Sequence, residues 1–182
     1  MGYGDCYRDF RRSKRQPKSY LPTIEKLKQS LTANDREQSL EAVRELERIA
    51  RKDRIHSLEE YLLKFLSRLL YIQGEAEIME FTYSDTLFYL NKIHTFNRIA
   101  EDVYYIAVDD WHSHFDAVLS AASELASEAC MTNECREWSG EFDRELLWKE
   151  TSRILAFTYL EDETNLDREL RSLWSNYTFF PY

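Results

Sequence analysis

The sequence predicts an all-α fold, and three of its features support this prediction. The 182 residues include only four Gly and three Pro, the residues that sheets and hairpins need at their turns. Apolar residues recur at steps of three and four, which is the spacing of one helix face. Twelve Tyr, ten Phe and four Trp supply apolar surface for a core. We therefore expect a helical bundle or a short irregular α-solenoid with six to eight helices.

The start of the chain differs in charge from the rest. Residues 1–18 hold six basic side chains against two acidic ones and show no helical periodicity. We therefore expect a flexible basic arm over residues 1–18 and a single α-helical domain over residues 19–182. Because the net charge of the whole chain is −9, the domain itself is strongly acidic. Such a body repels nucleic acid and anionic lipid, and it attracts a basic protein.

Two helices are predicted in the first third of the domain. One begins near Pro22 and carries apolar residues at helical spacing. The next begins at Asn34, a good N-cap with Glu37 three positions later. Its apolar stripe consists of Leu40, Val43, Leu46, Ile49 and Ala50, and charged residues occupy the opposite face.

A third helix is predicted from Ser57, which repeats the capping pattern with Glu60. It is strongly apolar, and Gly74 stands at the usual position of a left-handed cap at its end. We expect four of its side chains in the core: Leu62, Phe65, Leu66 and Leu69.

The stretch from Asn34 to Asp53, NDREQSLEAVRELERIARKD, resembles a helix of HEAT or armadillo repeats. The likeness rests on Ala42, Val43, Leu46, Ile49 and Ala50, and Ser57–Leu70 would form the second helix of the pair. No second copy follows at the ~40–47-residue spacing of such arrays. An ordinary amphipathic hairpin in a bundle has the same pattern. The resemblance implies a protein-binding scaffold.

The middle of the chain combines an ambiguous segment with a clear helix. Glu75–Tyr83 fits either a short helix or an extended piece, and we expect any strand to lie within residues 71–83. A helical pattern returns at Ser84 and continues through Val103 and Ile106.

Three more helices are predicted near residues 110–130, 140–160 and 165–175. Thr164 or Asn165 would cap the last one. Its inward-facing residues would be Leu166, Leu170 and Leu173.

The stretch DDWHSHFD, Asp109–Asp116, has the highest density of reactive side chains in the chain. Its helical periodicity predicts Asp109 as N-cap and Asp110 in the first turn. His112 and His114 would lie about 160° apart on the helix, so one metal ion could not bind both. Asp109, His112 and Asp116 share one side. This arrangement is typical of a helix start, but it also fits a recognition surface or an acid–base site.

Catalytic and cofactor motifs are missing from the sequence. It contains no H-E-x-x-H pattern, no Gly-rich phosphate loop and no G-x-S-x-G elbow, and we predict no catalytic residues, no metal and no cofactor. No apolar run approaches the ~18 residues of a membrane span, and no secretory segment follows Met1. We therefore expect a cytoplasmic protein. Cys130 and Cys135 are close enough in sequence to form a disulfide across residues 131–134, but the cytosol favours reduced thiols.

These features favour a non-enzymatic domain that binds a basic protein. The profile fits an acidic immunity or antitoxin protein that neutralises a basic, nuclease-like toxin. If no such partner exists, each acidic cluster named below is ordinary solvated surface. The candidate binding residues form three acidic clusters: Glu75, Glu77 and Glu80; Asp109, Asp110 and Asp116; and Glu161, Asp162 and Glu163.

Two alternatives remain. The first is a small enzyme with a metal or histidine–carboxylate centre built from His112, Asp109, Asp116 and His94. The second is a nucleic-acid-associated accessory protein that touches phosphates through the basic arm at residues 1–18, although the acidic body opposes such binding.

Overall fold

The computed structural model describes residues 20–74, 79–132 and 142–175, without the side chains of residues 72–74, 79–82, 130–132 and 175. This part of the chain contains six α-helices and one two-stranded sheet, so the all-α prediction is confirmed. The elements in chain order are α1 Tyr20–Thr32, α2 Arg36–Gly74, α3 Met79–Asn97, β1 Arg98–Ala100, β2 Val103–Tyr104, α4 Trp111–Thr132, α5 Arg144–Leu155 and α6 Glu163–Ser175.

Several predictions fall outside the described residues. They concern the basic arm at residues 1–18, Glu75, Glu77 and the side chains of Glu80 and of the two cysteines. Within the described ranges, none of the helices has the length and apolar character needed to cross a membrane.

Helix α2 is a single helix where the sequence predicted two. It runs without a break through Ser57, whose Oγ donates to the carbonyl of Asp53 at 3.0 Å. A serine inside a helix can bond to the carbonyl one turn back, so the Ser57–Glu60 pattern did not mark a boundary. The HEAT-like pair of helices is therefore not formed. At 39 residues, α2 is about 58 Å long.

The start of α2 is also one residue later than predicted. Asn34 has a φ of 55°, in the left-handed region that ends α1. Asp35 is the capping residue, because its Oδ1 accepts from the amide of Gln38 at 3.0 Å.

The core forms around the second half of α2. The predicted core residues Leu62, Phe65, Leu66 and Leu69 are all at most 1% exposed, which confirms their placement. α3 and α4 pack along this half of α2, and α5 and α6 complete the bundle. The inward face of α6 is also as predicted, because Leu166, Leu170 and Leu173 are buried.

The first half of α2 packs mainly against α1, which runs antiparallel to it. Tyr20 contacts Asp53 at one end of this hairpin, and Ser39 Oγ donates to Ser30 Oγ at 3.0 Å near the other. The apolar stripe predicted for the first half of α2 is only partly buried. Ile49 is buried, but Leu40 and Val43 are exposed, because α1 covers only one side of the helix.

The two strands lie where the sequence predicted the continuation of a helix. α3 ends at Asn97, and β1 pairs antiparallel with β2. The end of α3 is fixed by the Asn97 side chain, whose Oδ1 accepts from the amide of Ile106 at 2.8 Å while its Nδ2 donates to the carbonyl of Ile106 at 2.9 Å. The expectation that any strand would lie within residues 71–83 was therefore wrong for the described part of the chain.

Candidate functional site

One end of the bundle is organised by the hydroxyl of Tyr159. This hydroxyl accepts from Trp111 Nε1 at 2.6 Å and from Asn97 Nδ2 at 3.0 Å. It donates to the carbonyl of Ile106 at 2.7 Å, and the ring of Tyr104 packs edge-on at 4.6 Å. A single side chain thus joins the end of α3, the strand pair and the start of α4. We call these four contacts the Tyr159 network.

The ionisation of Tyr159 is shifted by this environment. Burial raises its pKa to about 12, and the nearby charge of Asp110 acts in the same direction. The hydrogen bonds from Trp111 and Asn97 oppose the shift, since they favour the anion. At neutral pH the hydroxyl is therefore protonated and donates to Ile106.

Acidic side chains surround the Tyr159 network. The 3₁₀ turn Val108–Asp110 precedes α4, and the tip of the strand pair carries two further acidic residues. Arg98 donates to the carbonyl of Glu161 at 3.3 Å, which places the loop before α6 beside β1. All seven carboxylates are exposed. We call this surface the acidic end: Glu101, Asp102, Asp109, Asp110, Glu161, Asp162 and Glu163.

The charges of the acidic end are left unbalanced. Among the described residues, no Lys, Arg or His forms an ion pair with any of its seven carboxylates. Three aliphatic side chains lie among them: Ile99, Val103 and Val108 are 49%, 48% and 49% exposed. The surface therefore combines a concentrated negative charge with apolar contact points.

Two of the three predicted acidic clusters meet at this end, except for one of their six residues, but some roles differ from those predicted. The 3₁₀ turn has no side-chain cap, so Asp109 is not an N-cap. The amide of Asp110 bonds instead to the carbonyl of Ala107 at 3.0 Å. α6 is capped by Asp162, whose Oδ1 accepts from the amide of Asn165 at 2.7 Å, and not by Thr164 or Asn165.

Asp116 lies apart from the acidic end. It is more than a turn further along α4, where it forms an ion pair with Arg144 of α5. Two other acidic residues, Glu101 and Asp102, belong to the acidic end, although the sequence predicted them to lie inside a helix. No local signal distinguished them, because their position depends on the turn between the two strands.

The histidines predicted for an enzymatic centre are dispersed. His112 packs against the rings of Trp148, at 4.8 Å, and Phe115. His94 is buried, and its Nδ1 lies 2.8 Å from the carbonyl of Thr158. Neither contacts Asp109 or Asp116 in the described structure, so the predicted acid–base arrangement is not assembled.

His114 has a partner that the sequence did not suggest. Its Nδ1 lies 3.0 Å from Oε1 of Glu59, a largely buried carboxylate of α2. His56 approaches the other oxygen of Glu59 at 3.9 Å. This cluster joins α2 to α4, and it separates His114 from His112, as expected from their spacing. In the described part of the chain, no group of three or more His, Cys, Asp or Glu has a geometry that could hold a metal ion.

The fold and the site define an all-α bundle with an acidic, partly apolar end. Comparisons of the chain with protein-family models, with curated proteins and with solved structures give no match.

Proposed function

We propose that this chain is a non-enzymatic protein-binding domain whose acidic end binds a basic protein. The observation that supports the proposal is the clustering, around Ile99, Val103 and Val108, of seven carboxylates that form no ion pair within the described part of the chain. Complementary charge accelerates the encounter and selects a cationic partner. The aliphatic side chains contribute affinity because contact removes them from water.

The way this surface is held also favours binding. The hydrogen bonds of Trp111 and Asn97 to Tyr159 fix the loops that carry the carboxylates. A surface that is ordered before contact loses less conformational entropy on association. The acidic end therefore suits recognition by preformed shape and charge.

Within this class, an immunity- or antitoxin-type inhibitor of a basic, nuclease-like toxin fits best. A protein that acts on nucleic acid binds phosphates through Lys and Arg. An array of carboxylates offers the same cations an alternative partner, so its binding would exclude the nucleic acid. This proposal assigns the acidic end a competitive role and requires no catalytic group of its own.

The test is the capture of partners from a native lysate by the full-length tagged chain. We expect retention of a basic protein that is released as salt concentration rises. The variant Asp109→Lys/Asp110→Lys should lose most of that retention. The matched control is Glu37→Lys/Glu145→Lys, which makes the same change in charge at two exposed residues in the first turns of other helices.

Two outcomes would contradict the proposal. If both double variants lose the partner equally, net charge and not the acidic end determines binding. If the unmodified chain retains no basic protein, the charge of the surface has another role.

A further inference from the structure

A second exposed apolar surface lies away from the acidic end. Apart from Phe88 on α3, the exposed large apolar side chains of the described residues belong either to the acidic end or to the α1–α2 hairpin. In the hairpin, Leu21 is 68% exposed and Leu31 is 61% exposed. Leu40 and Val43 on α2 are 48% and 39% exposed. These four residues are the apolar side of the hairpin.

The four residues share the side of the hairpin that faces away from one ion pair, and charged side chains are interspersed among them. By helical spacing, Lys28 lies beside Leu21 and Leu31, and Glu47 lies beside Leu40 and Val43. Lys26 of α1 forms an ion pair with Glu41 of α2 at 3.3 Å across the seam of the hairpin. Leu21 and Leu31 are each five residues from Lys26, about 140° around the helix. Val43 is two residues from Glu41, about 160° around α2.

The hairpin has little interior of its own. Its fully buried apolar side chains are Ala42 and Ile49, whereas the second half of α2 packs against several helices. Two helices that bury so little against each other gain stability when further helices cover their apolar side.

We propose that the apolar side of the α1–α2 hairpin binds the same side of a second copy of this chain. The charge distribution selects this occupant. Residues 20–54 carry eight basic and seven acidic side chains, against a net charge of −9 for the whole chain. Two copies therefore meet with little repulsion at the hairpin, whereas they repel each other at the acidic end. A strongly basic partner gains little from a nearly neutral surface.

The shape and size of the face suit a symmetric dimer. An antiparallel helix pair is close to two-fold symmetric, so its apolar side is complementary to itself, as an isologous interface requires. α1 has 13 residues and is about 20 Å long. Two adjacent helices give a face about 20 Å wide, so its projected area is about 400 Å² per partner, which suits a weak, reversible interface more than a standard one of ~800 Å² per partner. The product is a four-helix arrangement.

The experiment is sedimentation equilibrium of the full-length chain over a range of concentrations. We expect a reversible monomer–dimer equilibrium. Leu40→Glu/Val43→Glu should raise the dimer dissociation constant at least about 100-fold, because like charges then face each other across the two-fold axis. Leu21→Glu/Leu31→Glu, on the other helix, should have the same effect. Far-ultraviolet circular dichroism verifies that each variant remains helical.

The matched control is Ile99→Glu/Val103→Glu, which changes two aliphatic residues that are 49% and 48% exposed at the acidic end. It should leave the dimer dissociation constant unchanged. A chain that is monomeric at every concentration overturns the proposal, as does an equal effect of the control and hairpin variants. Neither result decides whether the acidic end binds a basic protein, because that binding uses a different surface.

Discussion

Replacing Tyr159 with Phe removes one hydroxyl and keeps the ring, so the effect measures the Tyr159 network itself. The indole N–H of Trp111 loses its acceptor, and Trp111 is only 1% exposed. A buried donor without a partner costs about 1–3 kcal/mol. Ile106 loses the hydrogen bond from Tyr159 but keeps the one from Asn97, which adds about 1 kcal/mol. We therefore expect the free energy of unfolding to fall by about 2–4 kcal/mol.

Urea unfolding at neutral pH measures this loss as a lower midpoint with an unchanged slope. Tyr104→Phe is the control, because the Tyr104 ring packs against Tyr159 but no hydrogen bond of its hydroxyl is present in the described structure. It should change stability by less than about 0.5 kcal/mol. If Tyr159→Phe costs no more than Tyr104→Phe, the hydroxyl does not hold the acidic end together. Under the proposed function, capture of a basic partner should weaken in Tyr159→Phe but not in Tyr104→Phe.

Three further predictions address ionisation, packing and capping. Because the pKa of Tyr159 is raised from 10.0 to about 12 in the folded chain, the unfolded chain loses this proton at a lower pH. The free energy of unfolding should therefore fall as pH rises from about 10 to about 12. Urea midpoints measured against pH should show a smaller fall in Tyr159→Phe. Leu66→Ala should lower the free energy of unfolding in urea by about 2–5 kcal/mol, whereas Leu40→Ala should lower it by less than about 1 kcal/mol. Equal losses in the two variants would contradict the core position of Leu66. Asp143→Ala should cost about 0.5–2 kcal/mol by thermal unfolding, because Asp143 Oδ1 accepts from two amides of α5. Asp109→Ala should cost less than about 0.5 kcal/mol, and a larger loss would show that Asp109 is a cap after all.

The sequence predicted the helices and the core where one face of a helix is buried by many neighbours. Leu66 and Leu170 recur at helical spacing within apolar stripes, and both are fully buried. A new helix was also predicted to begin within Asp109–Asp116, and α4 begins there, at Trp111. Periodicity reports burial, so it is reliable where burial is extensive. It failed at Leu40 and Val43, where a stripe of the same spacing is left exposed.

Boundaries that depend on distant contacts could not be predicted. The end of α3 depends on Asn97, which bonds to Ile106 and to Tyr159, 62 residues later in the chain. No local pattern encodes that contact. Glu101 and Asp102 reach the acidic end only because this contact ends the helix. The carboxylates of Asp109 and Glu161 were recognised as candidates, but their proximity was not.

The unbroken course of α2 makes the two surfaces depend on each other. Arg51 donates to the carbonyl of Tyr105 at 3.4 Å, and Arg54 lies over the rings of Phe96 and Tyr105, so the strand pair rests on the same helix half that forms the hairpin. Fraying of that half would withdraw support from the loops beside the strands. A ligand that keeps residues 36–54 helical therefore increases the population in which those loops are ordered. By thermodynamic reciprocity, self-association and partner binding would strengthen each other by the same factor.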